Sequence, residues 1–141
     1  MESLGASEEV ALFRLIEHLM HEMPEVDLGV DRQGHKILVS CHMICRALAQ
    51  LFPQLECQYG YFTRKGIEHS WLTLGRDFII DAYPFAMLGG PIMVDCRYFT
   101  TPWQSLYLPA GDRFSCLSDP DFQKHVERVI KTMRSLSQEA A

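Results

Sequence analysis

The sequence predicts a mixed helix-and-strand domain of the α+β class, on three observations. Three stretches, two in the first half and one at the end, repeat apolar residues at helical spacing. Between the second and third lies a run rich in aromatic and β-branched residues with strand-like alternation, and a tight turn interrupts that run. At 141 residues the chain fits one domain, residues 1–141, and a domain near this size buries roughly 70% of the surface its unfolded form exposes.

In the first helical stretch, Ser7 is placed to cap, Glu8 and Glu9 lie in the positively polarised first turn, and Leu12, Leu15, Ile16, Leu19 and Met23 make the apolar stripe. Pro24 stops it. A polar connector from Glu25 to Gly34 leads through Ile37-Leu38-Val39 to Ser40, a good N-cap for a second helix. That helix starts at Cys41, presents Ile44, Cys45, Leu48, Leu51 and Phe52 on one face, and ends at Pro53.

Strands are expected at Cys57–Thr63, at Ile67–Leu74 after an Arg64-Lys65-Gly66 turn, and at Phe78–Tyr83. From Pro84 to Ser118 the prolines and glycines predict loops around one or two short strands, one near Ile92–Asp95. Asp119 and Pro120 then open a last helix that buries Phe122, Val126, Val129, Ile130, Met133 and Leu136.

Composition narrows the function classes. A net charge of −5 without any Lys/Arg cluster lacks the footprint of a nucleic-acid binder, so nucleic acid is not expected as a partner. The acidic start lacks the pattern of a Sec-type signal peptide, and no apolar run approaches the ~20 residues of a membrane span. The expectation is a cytoplasmic protein, or an effector exported by a leaderless route. Five cysteines at irregular spacing are expected as reduced thiols.

Cys41 stands out among them. With Ser40 as N-cap it holds the first helical position, where unpaired backbone N–H groups and the helix dipole favour a thiolate. Cys45 lies a turn deeper among apolar neighbours, and Cys57, Cys96 and Cys116 read as core or incidental thiols. His42 follows Cys41 directly, so on a helix it is expected to point about 100° away from it. Cys41, His42 and Cys45 lack the further cluster that completes a four-ligand zinc set, and His18 and His21 lack a third ligand. Neither a metal nor a cofactor is expected.

The partners of the thiol come from parity. A three-residue loop, Gly75-Arg76-Asp77, pairs Leu74 with Phe78 and Leu72 with Ile80, which gives one apolar face. The other face then sets Thr73 opposite Ile79, Trp71 opposite Asp81 and His69 opposite Tyr83. In that register His69 and Asp81 are diagonal neighbours, roughly 7 Å apart and within side-chain reach. A two-residue loop would put Asp81 on the wrong face. Asp77 and Asp95 compete as the orienting acid, and parity favours Asp81.

These residues suggest that Cys41 attacks an acyl carbonyl, His69 carries the proton to the leaving group, and Asp81 orients the imidazole. The Cys41 N–H would donate to the oxyanion, with Gln33, Gln58 or Trp71 as candidates for a second donor. Trp71 reads as a packing residue or a wall of the site before a chemical participant. Tyr98, Phe99, Trp103 and Tyr107 either line a groove or cover the sheet.

Three segments resemble the transglutaminase-like branch of the papain-like cysteine protease superfamily. They are Ser40-Cys41 with Ala47-Leu48-Ala49, then His69-Ser70-Trp71-Leu72, then Phe78-Ile79-Ile80-Asp81-Ala82-Tyr83-Pro84. Together with the stretches that link their chemistry they cover about a third of the chain. The resemblance implies a papain-like core, with the nucleophile helix packed on an antiparallel sheet and flanked by the terminal helices. It also implies thiol chemistry on peptide or protein amides: proteolysis, glutamine deamidation, transamidation or acyl transfer through Cys41, His69 and Asp81.

Two departures from the family stand in the sequence. His69 follows Cys41 by only 28 positions, and the helix start lacks the Gly or Trp that often adjoins the cysteine. No acyl-donor cofactor motif is visible, so hydrolysis or deamidation comes first. The alternative is a protein-binding module on the same fold without catalysis.

Overall fold

A computed structural model describes residues 6–21, 26–64, 67–82, 90–96, 106–110 and 119–140. These form three helices, α1 (Ala6–His21), α2 (Cys41–Leu51) and α3 (Pro120–Ala140), and five strands, β1 (Leu55–Phe62), β2 (Glu68–Leu74), β3 (Phe78–Asp81), β4 (Ile92–Asp95) and β5 (Tyr107–Pro109). The fold is α+β. The strands make one antiparallel sheet in the order β4-β3-β2-β1-β5.

Ser40 caps α2 as its side chain type predicts. Its Oγ accepts from the Met43 N–H over 3.3 Å while its own backbone stays extended, which satisfies one donor that the helix cannot. The helix buries Met43, Ile44, Cys45, Ala47 and Leu48 and packs on β1 and β2, with α3 against another side. Fully burying a side chain such as Ile44 or Leu48 stabilises by about 1.5–3 kcal/mol, so this face holds the helix down. Asp119 accepts from the Asp121 N–H at the start of α3, whose Phe122, Val126, Val129, Ile130 and Met133 are buried as expected and whose Leu136 is half-buried.

The hairpin between β2 and β3 has the expected register: Leu74 pairs with Phe78, Thr73 with Ile79, and Leu72 with Ile80. Its loop is three residues, and Gly75 takes φ of 60°, a conformation that costs a side-chain-bearing residue more than glycine. Alternation along the strands divides the sheet. Leu55, Tyr59, Leu72, Leu74, Phe78 and Ile80 join the helices in the main core. Phe62, Trp71, Ile79, Val94 and Tyr107 form a second apolar layer on the other face.

Some boundaries differ from expectation. The first strand begins at Leu55, since the Leu55 N–H bonds back to Phe52 O as soon as the helix has turned. β3 ends at Asp81, and of the strand residues expected beyond it Tyr83 lies outside the described residues. So do the Pro24 stop, Lys65-Gly66, Tyr98, Phe99, Trp103 and Cys116; nothing of the Ser7 side chain is described either. The expected strand at Ile92–Asp95 is present, and β5 is the second short strand of that stretch. No described helix is long and apolar enough to cross a membrane.

Candidate functional site

The start of α2 meets the start of β2. Two consecutive helix residues face two consecutive strand residues there: the Cys41 thiolate is favoured by the neighbouring His69 ring, and His42 Nδ1 lies 2.6 Å from Ser70 Oγ. Capping by Ser40 puts Cys41 at the first helical position, so its backbone N–H belongs to the set that has no acceptor within the helix.

His69 and Asp81 are both buried, each about 1% exposed, and His69 Nε2 lies 2.8 Å from Asp81 Oδ2. With Nε2 committed to the carboxylate, Nδ1 is the ring nitrogen left for the thiol, and it is buried without a hydrogen bond at that atom among the described residues. The imidazole is also clamped by aromatic rings. Trp71 stacks on it at a centroid distance of 6.3 Å, and Phe62 meets it edge-on at 5.8 Å. A buried carboxylate is costly unless it is hydrogen-bonded, and Asp81 offsets part of that cost with a second donor to the same Oδ2, the Tyr107 hydroxyl at 2.8 Å, while Oδ1 has none among the described residues.

These contacts reverse the usual order of the two titrations. Burial pushes the Cys41 thiol up, but the neighbouring His42 and His69 rings, which favour its anion, bring it from 9.0 down to about 6. Burial pulls His69 down, yet its hydrogen bond to Asp81, the neighbouring Cys41 thiol and the negative charge of both raise it from 6.5 to about 9. Between those values the pair is thiolate and imidazolium. Tyr107 is pushed far up by burial and by the charge of Asp81, so it stays a protonated donor. Cys45, fully buried, is pushed up by desolvation, and Cys57 is raised for the same reason. Of these three thiols only Cys41 is held as a nucleophile.

His42 departs from the expectation that it points away from Cys41. Its ring neighbours the thiol and is held by Ser70, whose Oγ also accepts from Arg46 over 3.1 Å, while Arg46 donates to the His42 carbonyl over 2.9 Å. The Tyr59 ring supports it at 5.8 Å, itself fixed by a 2.7 Å hydrogen bond to Glu68. The 100° rule gives directions from the helix axis alone, and it omits the strand that waits on that side.

Of the remaining candidates, Trp71 is a buried wall of the site, in contact with both His69 and Tyr107. Gln58 is half-buried on the Trp71 face of the sheet and its amide donates to Thr73 Oγ1 over 3.2 Å. Gln33 is exposed in the connector before α2, with its backbone N–H on Asp31. The structure gathers Cys41, His69, Asp81 and Trp71, and sets Gln33 and Gln58 elsewhere.

Asp77 lies in the hairpin turn and Asp95 is paired with Phe78, both at the far end of the hairpin from His69. Among the described residues, no group of three His, Cys, Asp or Glu side chains is placed to hold a metal ion. Beside the site, Trp71 and Tyr107 also wall a cavity of about 290 Å³ that runs toward Arg76 and Cys96. Comparison with models of protein families, with curated proteins and with solved structures returns no match for this chain.

Proposed function

We propose that the chain is a cysteine-dependent hydrolase or acyltransferase acting on a peptide or protein amide, on a transglutaminase-like variant of the papain-like core. The observation that carries this reading is the buried His69–Asp81 hydrogen bond behind a thiol at a helix start. An imidazole fixed by a carboxylate, beside a sulfur that the helix dipole and two rings favour as an anion, is what acyl transfer by a thiol requires.

The chemistry follows from the ionised pair. The Cys41 sulfur gives an electron pair to the carbonyl carbon, and the π pair of the carbonyl moves to its oxygen. When the carbonyl re-forms, the C–N bond breaks and the His69 imidazolium gives its proton to the departing nitrogen, leaving a thioester on Cys41. Neutral His69 then takes a proton from water, or from an acceptor amine, which attacks the thioester and expels Cys41 as thiolate. The Asp81 carboxylate stays ionised throughout and keeps the ring oriented.

The test has two parts. Iodoacetamide labelling followed by peptide mass spectrometry should modify Cys41 selectively at neutral pH, with the rate reduced in His69→Ala. A panel of glutamine-containing peptides, with ammonia release measured beside cleavage, should show turnover that disappears in Cys41→Ala. Labelling of Cys41 no faster than a free thiol would overturn the reading.

A further inference from the structure

We infer that His42 is a second catalytic imidazole, which donates an N–H to the oxyanion formed on the carbonyl that Cys41 attacks. This rests on the reading of Cys41 as the nucleophile and fills a role that Gln33, exposed in the connector, and Gln58, whose amide is on Thr73, do not.

The His42 ring is held from several sides. Arg46 donates to the Ser70 oxygen and to the His42 carbonyl, Ser70 Oγ lies 2.6 Å from Nδ1, and Tyr59 packs on the ring. Ser70 is fully buried, so this support is not shared with bulk water. With Arg46 donating to the oxygen, the Ser70 proton is directed at His42 Nδ1. The ring's own proton then sits on Nε2, the nitrogen that Ser70 leaves for the neighbouring Cys41.

The two imidazoles around one sulfur are not equivalent. His69 is backed by the Asp81 carboxylate, so its proton is the one that is transferred. His42 is backed by a neutral hydroxyl and a guanidinium, an environment that holds an N–H in place rather than one that drives it across. When the sulfur attacks, negative charge leaves it and appears on the carbonyl oxygen, two bonds away. A donor beside the sulfur is within reach of that oxygen and follows the charge. The Cys41 backbone N–H and the His42 ring then supply the pair of donors such an intermediate needs.

Two electrophiles separate this role from simple stabilisation of the thiolate. Iodoacetamide alkylates sulfur by displacing iodide and forms no oxyanion. p-Nitrophenyl acetate acylates sulfur through a tetrahedral oxyanion and releases nitrophenolate, which needs no proton from His69. Rates are compared at the high-pH plateau of each profile, where the thiolate is fully formed in every variant.

In His42→Ala the plateau acylation rate should fall by about 100-fold, while plateau alkylation stays within about threefold. His42→Phe, which keeps a ring against Tyr59 but no N–H, should give the same split and serves if the alanine variant does not fold. Equal losses with both probes, or unchanged acylation, overturn the inference. If wild-type Cys41 reacts with neither probe faster than a free thiol, the nucleophile itself falls, and this role with it.

Discussion

Tyr107 and His69 converge on a single oxygen: both lie 2.8 Å from Asp81 Oδ2. Tyr107 belongs to β5, which among the described strands pairs with β1 alone, whereas Asp81 ends β3, two strands further across the sheet. The orientation of the imidazole is thus set partly by a residue from the opposite flank of the sheet.

Tyr107→Phe should lower stability by about 1–3 kcal/mol, the cost of leaving one partner of a buried hydrogen bond unmet, read as a fall in Tm. The ring that packs on Phe62 and Trp71 remains, so the fold should persist. Turnover should fall more than tenfold less than in Asp81→Ala, because His69 still has its acceptor.

The reactivity of Cys41 should follow the two shifted titrations. Alkylation should climb as pH rises through about 6, where the thiolate forms, instead of through the ordinary 9.0. Amide turnover, which also needs the imidazolium, should rise through about 6 and fall as pH passes about 9, where His69 loses its proton. In His69→Ala the alkylation midpoint should move up toward 9.0, since one of the two rings that favour the anion is gone. Rate profiles with iodoacetamide check both statements.

Cys45 should stay unmodified for as long as the protein is folded. Its side chain is fully buried and desolvation pushes its thiol up, so neither access nor ionisation favours attack. Mass spectrometry of the alkylated protein in native buffer and in denaturant should show Cys45 labelled only in the second.

Gly60 stands opposite Pro109, and a Cβ there would run into the backbone carbonyl of Leu108. Gly60→Ala should therefore push β5 away from β1 and draw the Tyr107 hydroxyl off Asp81. A loss of about 1–3 kcal/mol is expected from the overpacking, together with slower Cys41 acylation than in wild type. Combined with Tyr107→Phe the kinetic effects should not add, and a double-mutant cycle measures this.

The sequence carried the hairpin because a period of two leaves little freedom: Leu72 and Leu74 can face the core together only if Ile80 and Phe78 do, and Asp81 then falls on the face of His69. The α2 start was legible from Ser40 alone. Tyr107 was not, because its place depends on β5 crossing to the far side of β1, a pairing over more than forty residues with only three residues of strand to announce it. His42 escaped for a different reason. Its neighbours Ser70, Arg46 and Tyr59 come from three elements, and local helix geometry says nothing about what a strand brings to meet it.

The matched pairs Cys41 with His69 and His42 with Ser70 tie the chemistry to one mechanical fact, the seating of α2 against β2. A helix that slid or turned by a single residue would lose both contacts in the same step, and the sulfur would revert to an ordinary thiol. How fast that one atom reacts is consequently a gauge of tertiary structure: in a denaturant titration it should report the undocking of the helix directly, including any partial opening in which helical content survives.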